Sequence, residues 1–138
     1  MFKEEDFIKI IKSYVGTPFV HQGRVPRVGI DCAGVVICAL KELGLDFYDL
    51  NNYNMRPSQD DVLNKIIENG FSDVSINDMK KGDLLLMSYD GNIQHIAVVS
   101  ETNPIYIIHA VTNKKVIEHR LDEVWKNRVK RVFRFKQI

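Results

Sequence analysis

The chain has 138 residues, of which 45% are hydrophobic and 27% charged, and its formal net charge is +1. This length suits one compact domain with its own core, so we expect residues 1–138 to form a single domain. The nearly balanced charge argues against a nucleic-acid-binding protein. No apolar run approaches the ~20 residues that a membrane-spanning helix needs, so neither nucleic acid nor membrane is expected as a partner.

The N-terminus shows no signal-peptide pattern, because charged residues dominate positions 3–6 and no long apolar stretch follows them. We therefore expect synthesis in the cytoplasm, with delivery by another component if the protein acts outside. Cys32 and Cys38 are six residues apart, which on a helix is about 600° of rotation and sends the side chains to separate faces. Both are predicted to be free thiols, and Cys38 a small buried apolar residue.

Helices are predicted in the first half of the chain. Apolar residues recur on a helical period from 4 to 14, and Gly-Thr-Pro at 16–18 ends that helix. Residues 16–31 hold three Gly and two Pro and predict a long irregular loop. Asp31 offers an N-cap for a buried helix at 32–43, and a further helix is predicted at 59–68.

Short strands with brief connections are predicted in the second half. The strands are predicted from β-type runs and turn signals, and a short helix is predicted at 121–127 near the end of the chain. Helices followed by an antiparallel sheet define an α+β fold. The predicted strands are 84–88, 93–100, 105–111, 115–120 and 129–135.

Cys32 begins the second helix, where the helix dipole and free N–H groups favour a thiolate, so we expect its pKa to lie below the usual ~8.5. The same N–H groups can stabilise an oxyanion. His95 starts a strand, and His109 follows on the next strand. If 100–104 forms a hairpin turn, the His109 ring can bond to the His95 ring and orient it.

Each of these residues also has a structural interpretation. A cysteine at a helix start is more often packed than nucleophilic, and a single histidine on a strand is more often structural. The three together, in this order and on these elements, favour a cysteine nucleophile with its base. The histidines lack metal-ligand spacing, so neither a metal nor a cofactor is expected.

Five short segments of the chain carry a resemblance to a known family. They are Gly16-Thr17-Pro18-Phe19, Asp31-Cys32-Ala33-Gly34-Val35-Val36, Lys81-Gly82-Asp83-Leu84, Gln94-His95-Ile96-Ala97-Val98 and Ile108-His109-Ala110. In this order they resemble the NlpC family of papain-like cell-wall peptidases. The resemblance implies a papain-like fold in which N-terminal helices pack on a C-terminal antiparallel sheet. It also implies a cysteine peptidase that cleaves peptidoglycan stem peptides, typically between γ-D-glutamate and the diamino acid.

Carried over by position, the resemblance makes Cys32 the nucleophile, His95 the general base and acid, and His109 the residue that orients His95. The candidate substrate-binding residues are Phe19, His21, Arg24 and Asp31. Asp31 is also expected to cap the helix, and its charge should raise the pKa of the neighbouring thiol. His119 lies in a polar strand and is predicted to be exposed and uninvolved.

The loop departs from the family pattern in two ways. Phe19 stands where the family often has Tyr, and it cannot donate a hydrogen bond. His-Gln-Gly-Arg at 21–24 resembles the branch found in bacteriophage tail proteins, which implies tail proteins as partners and association with the virion. Arg24 and Arg27 are candidates for binding the acidic stem peptide, or are simply solvated loop residues.

Two other functions fit the same residues. One is an amidase or acyltransferase that uses the same acyl chemistry on a substrate outside the cell wall. The other is a structural or tail-assembly module that keeps the fold and binds without catalysis, an alternative that Phe19 leaves open.

Overall fold

The computed structural model describes residues 3–45, 70–89 and 92–136. The helix predicted at 59–68 lies outside these residues. The described helices are α1 (Glu4–Lys12), α2 (Cys32–Glu42) and α3 (Glu123–Lys126), with a 3₁₀ turn at Ile76–Asp78. The strands are β1 (Arg24–Val25), β2 (Gly29–Ile30), β3 (Phe71–Val74), β4 (Leu84–Tyr89), β5 (Asn92–Glu101), β6 (Tyr106–Ala110), β7 (Val116–Arg120) and β8 (Val129–Phe135).

Six strands form one antiparallel sheet in the order β3-β8-β4-β5-β6-β7. Strands β4 to β7 follow one another along the sheet because short connections join them as hairpins. β8 returns to pair with β4, and β3 then occupies the outer edge. The α+β class predicted from the order of elements is confirmed.

The sheet separates two apolar clusters, because successive side chains of a strand point to opposite faces. One face packs against α1 and α2, where Phe7, Ile11, Val36 and Leu40 meet Ile96 and Val98 of β5. The opposite face is smaller and is partly covered by the segment around α3. Its buried members are Leu85, Met87, Ala97, Val99, Ile107, Leu121, Val129 and Val132, and Trp125 packs against them.

The N-terminus of α2 is fixed by its cap. Asp31 has extended backbone angles, and its side chain accepts a hydrogen bond from the Gly34 N–H. The following residues are almost all small or apolar and lie buried, so this helix is in contact with protein along most of its length. The predicted N-cap is therefore confirmed, and the helix begins at Cys32.

Three elements differ from the prediction because short-range patterns do not define them. The loop at 16–31 contains the small β1–β2 hairpin, in which each strand has only two residues. β3 was not predicted, since four residues are too few for a clear alternation and it forms by pairing with β8. The helix expected at 121–127 is a single turn, which Asp122 caps through the Trp125 N–H.

The loop and α2 approach each other most closely at Gly34. A Cβ placed there would lie 2.5 Å from the carbonyl oxygen of Gly23 and 3.3 Å from Nη1 of Arg24. Since real Cβ atoms do not come so near a backbone oxygen, only glycine permits this contact. Gly23, on the loop side of this contact, also has no room for a side chain, since a Cβ there would lie 2.5 Å from the carbonyl oxygen of Gly29 and 2.9 Å from that of Val20.

No helix among the described residues is both long and apolar enough to span a membrane.

We predict that Gly34→Ala lowers the free energy of unfolding by about 1–3 kcal/mol, because the new methyl group must displace the loop. The intrinsic helix preference of alanine, about 1 kcal/mol, acts in the opposite direction and is outweighed. Chemical denaturation measures the change. Lys41→Ala, at an exposed position of the same helix, is the control and should change stability by less than about 0.5 kcal/mol. Equal stability of Gly34→Ala and the wild type would contradict the packing argument.

Candidate active site

Cys32 lies in the first turn of α2, at the boundary between the main core and solvent. Its side chain is partly exposed and packs at the edge of the cluster formed by α1, α2 and the sheet. The backbone N–H groups of Ile96 and Ala33 both bond to the sulfur and favour its charged form. The thiol is therefore in contact with the strand residue that directly follows His95.

The environment of the thiol as a whole disfavours the thiolate. Burial, followed by the charge of Asp31, raises the pKa of Cys32 to about 12, although the two N–H groups and Arg24 act in the opposite direction. The expected effect of Asp31 is confirmed. The expectation that the helix N-terminus brings this pKa below its usual value is wrong, because desolvation of the sulfur outweighs the stabilisation by the helix dipole.

His95 and His109 lie beside each other on neighbouring strands, β5 and β6. Nε2 of His95 is 2.6 Å from Nδ1 of His109, and the two rings meet edge to face with centroids 4.9 Å apart. Both side chains are buried, His95 at 4% and His109 at 0% exposure. The predicted contact of the two rings across a hairpin is confirmed; their catalytic roles stay predictions.

Burial keeps both imidazoles neutral. It lowers the pKa of His95 to about 4, with a smaller contribution from the positive charge of Arg128. It lowers the pKa of His109 to about 2, with His95 and His119 as further causes. Burial shifts the pKa of the thiol in the opposite direction, so at both kinds of group it favours the neutral form over a thiolate–imidazolium pair.

His119 extends this pair to a third ring. Its Nε2 is 2.8 Å from Nε2 of His109, and its Nδ1 is 2.8 Å from the carbonyl oxygen of Arg120. The side chain is half-buried, so the prediction that His119 is exposed is wrong. Strand alternation was the available signal, because β7 pairs with β6 and brings every second residue to the face of His109.

An aromatic cover lies over the second and third rings. The centroid of Trp125 is 5.0 Å from that of His109 and 5.1 Å from that of His119. The guanidinium of Arg128 in turn lies 4.4 Å above the Trp125 ring. The sequence pattern did not predict this cover, since Trp125 reaches the site only when α3 packs against the sheet.

The predicted substrate-binding residues Arg24 and Asp31 contact each other. Nη1 of Arg24 is 2.9 Å from Oδ1 of Asp31 and 2.8 Å from the carbonyl oxygen of Gly23. The Gln22 N–H donates to the other Asp31 oxygen. The side chains of Arg24 and Asp31 are 13% and 4% exposed, so this ion pair holds the loop against α2. A contact of either residue with substrate stays a prediction.

The other two predicted binding residues lie in the same loop. Phe19 is half-buried and packs against the main core, and its N–H donates to the carbonyl oxygen of Lys114. His21 is half-buried in the turn that precedes β1. Neither placement tests substrate binding. Among the described residues, no group of three or more His, Cys, Asp or Glu side chains has an arrangement that could hold a metal ion.

Comparisons with known proteins identify the family and the fold. The sequence model of the NlpC/P60 family matches residues 16–134. No curated protein sequence matches significantly. An NlpC/P60 family protein from Bacillus cereus aligns with 99% of the chain at 20% identity and a TM-score of 0.72. A lipoprotein-like NLP/P60 protein from Staphylococcus aureus aligns with 99% at 19% identity and a TM-score of 0.68.

The chain spans only 41% and 43% of those two proteins. The NlpC/p60 domain of the peptidoglycan hydrolase SagA is instead covered completely, by 97% of the chain, at 20% identity and a TM-score of 0.66. At such identities these structures establish the fold alone. The papain-like architecture that the five sequence segments implied is thereby confirmed.

We predict that Arg24→Met destabilises the protein by about 3–5 kcal/mol, because it leaves the buried Asp31 carboxylate without its counter-ion. The melting temperature measures the loss. Arg27→Met is the matched control, since Arg27 is exposed on the same loop, and it should change stability by no more than about 0.5 kcal/mol. If Arg24→Met leaves the stability unchanged but weakens the binding of stem peptide, the result would instead indicate that Arg24 contacts the substrate.

We predict that the protein loses stability as the pH falls below about 6.5, the pKa of an unfolded histidine. Below that pH the unfolded chain binds protons that the folded state, with lowered pKa values at His95 and His109, does not bind. In His109→Asn the loss of unfolding free energy between pH 7 and pH 5 should be smaller by ~2 kcal/mol. Urea unfolding at both pH values measures this, and identical losses in the two proteins would show that His109 is not held neutral.

Proposed function

Because the chain belongs to the NlpC/P60 family, we propose that it is a cysteine peptidase that hydrolyses peptide bonds in the stem peptides of peptidoglycan. The bond between γ-D-glutamate and the diamino acid is the proposed target. One observation carries the proposal: the Cys32 sulfur bonds to the N–H of Ile96, directly after His95, whose ring is held by His109 at 2.6 Å. SagA, which shares the fold, is a peptidoglycan hydrolase.

The proposed reaction begins from the neutral pair. Nε2 of His95 is engaged by His109, so Nδ1 is the nitrogen that serves the thiol. As the sulfur attacks the peptide carbonyl, the thiol proton moves to Nδ1, and the resulting oxyanion is stabilised by the Cys32 N–H at the start of α2. His95 then returns the proton to the leaving amine, and a thioester remains on Cys32.

Water completes the cycle. His95 again accepts a proton, now from the water that attacks the thioester carbonyl, and the thiol is released together with the new carboxylic acid. His109 does not exchange protons with the substrate. It holds the His95 ring in place, as the third member of a triad does.

A binding module without catalysis is the second candidate, and the raised pKa of Cys32 is the observation in its favour. A cysteine packed for structural reasons has the same property. Association with phage-tail proteins and the virion is a separate proposal, supported only by the resemblance of residues 21–24 to the tail-protein branch.

We predict that Cys32→Ala abolishes hydrolysis of purified peptidoglycan, with a fall in rate of at least ~10³-fold, because no acyl-enzyme can form. Mass spectrometry of the digested muropeptides is the measurement, and the wild type should release fragments with a new free amino group on the diamino acid. Cys38→Ala is the matched control, since it removes the other, buried thiol and should keep the activity.

Three results would contradict the proposal in different ways. Hydrolysis of peptidoglycan by Cys32→Ala would exclude Cys32 as the nucleophile. Wild-type protein that binds peptidoglycan without producing fragments would favour the binding module. Products with other new termini, or with a transferred acyl group, would indicate the amidase or acyltransferase.

A further inference from the structure

The three histidines form one continuous chain of ring contacts that ends on a backbone carbonyl. The chain starts at His95 and passes to His109 at 2.6 Å, then to His119 at 2.8 Å, and then to the oxygen of Arg120 at 2.8 Å. A neutral imidazole has one N–H donor and one acceptor nitrogen, whereas a carbonyl oxygen can only accept. The carbonyl therefore determines the direction of every hydrogen bond in the chain.

The direction follows step by step when each of the three rings carries one N–H. Nδ1 of His119 carries a hydrogen, because it donates to the Arg120 oxygen, and its Nε2 must then accept. Nε2 of His109 consequently donates to His119, and Nδ1 of His109 accepts. Nε2 of His95 donates to that atom, which leaves the lone pair of His95 on Nδ1.

We infer that His119 is a positioning residue for the proposed peptidase reaction: with the Arg120 carbonyl it fixes the tautomer of His95 that can accept the Cys32 proton. This inference rests on the proposed function. In the opposite tautomer Nδ1 of His95 carries a hydrogen, and the ring cannot act as a base toward the sulfur. The His109 ring by itself does not prevent the Nδ1–H tautomer of His95, because His109 can also donate a hydrogen bond from its own Nδ1 to Nε2 of His95.

The surroundings of His119 hold its ring in the orientation that this requires. Trp125 packs against both His109 and His119, and the guanidinium of Arg128 lies over the indole ring. The side chain of Glu118, on the other face of β7, bonds instead to Ser100. The ring of His119 is thus bounded by the His109 ring, the Trp125 ring and the Arg120 carbonyl.

Three substitutions separate hydrogen-bond polarity from packing. His119→Leu fills the space beside Trp125 without an acceptor. His119→Gln offers an amide oxygen that can accept from His109. His119→Lys offers only donors, so it forces His109 to accept at Nε2 and reverses the chain.

We predict that kcat falls by about 10–100-fold in His119→Leu, the loss seen for outer hydrogen-bonded partners of metal-ligating histidines, and at least as much in His119→Lys. His119→Gln should restore most of the activity that His119→Leu loses. A role in packing alone predicts instead that His119→Leu and His119→Gln behave alike.

The tautomer itself is measured by ¹⁵N NMR of histidine-labelled full-length protein, which needs no hydrolysis. His95 should carry its hydrogen on Nε2 in the wild type and in His119→Gln, and on Nδ1 in His119→Lys. An Nδ1–H tautomer in the wild type, or the same tautomer in all folded variants, would overturn the inference even if peptidoglycan is cleaved. The expected tautomers in a protein that cleaves nothing would support the positioning role and reject the proposed function.

Discussion

The buried carboxylate of Asp31 joins the two segments between which the thiol lies. It accepts hydrogen bonds from the N–H groups of Gly34 and Gln22 and pairs with the guanidinium of Arg24. The loop and the start of α2 therefore share one charge, and separating them would leave that charge unpaired away from water. The same carboxylate disfavours ionisation of Cys32, so the group that positions the sulfur also helps to keep it protonated.

In the proposed reaction, a proton must leave the sulfur during the attack. Burial favours the neutral thiol and the neutral imidazoles alike, so in that reaction charge separates only while the sulfur attacks. Such a reaction requires a base with its lone pair on the correct nitrogen before the substrate arrives. The sheet meets this requirement with three rings from β5, β6 and β7, and the carbonyl of Arg120 gives their hydrogen bonds one direction.

The sequence predicted those parts of the site that depend on neighbouring elements. A cap followed by a small apolar run identified the start of α2 at Cys32, and a hairpin of adjacent strands brought His109 to His95. His119 was misplaced because its polar neighbours resemble a solvated strand, while its cover, Trp125, comes from a helix that local patterns do not position. The direction of the thiol pKa was missed because desolvation depends on tertiary packing.

Successive side chains of β5 alternate between the two faces of the sheet, and this alternation constrains the site. Ile96 and Val98 pack in the cluster beside α2, against which Cys32 also packs, whereas Ala97 and Val99 belong to the cluster on the opposite face. Inserting a single residue within the strand would exchange these sides for every residue beyond it. The hairpin tip at 102–105 can change in length by bulging outward, and the three rings then keep their places. An insertion within a strand beside the rings would instead displace them.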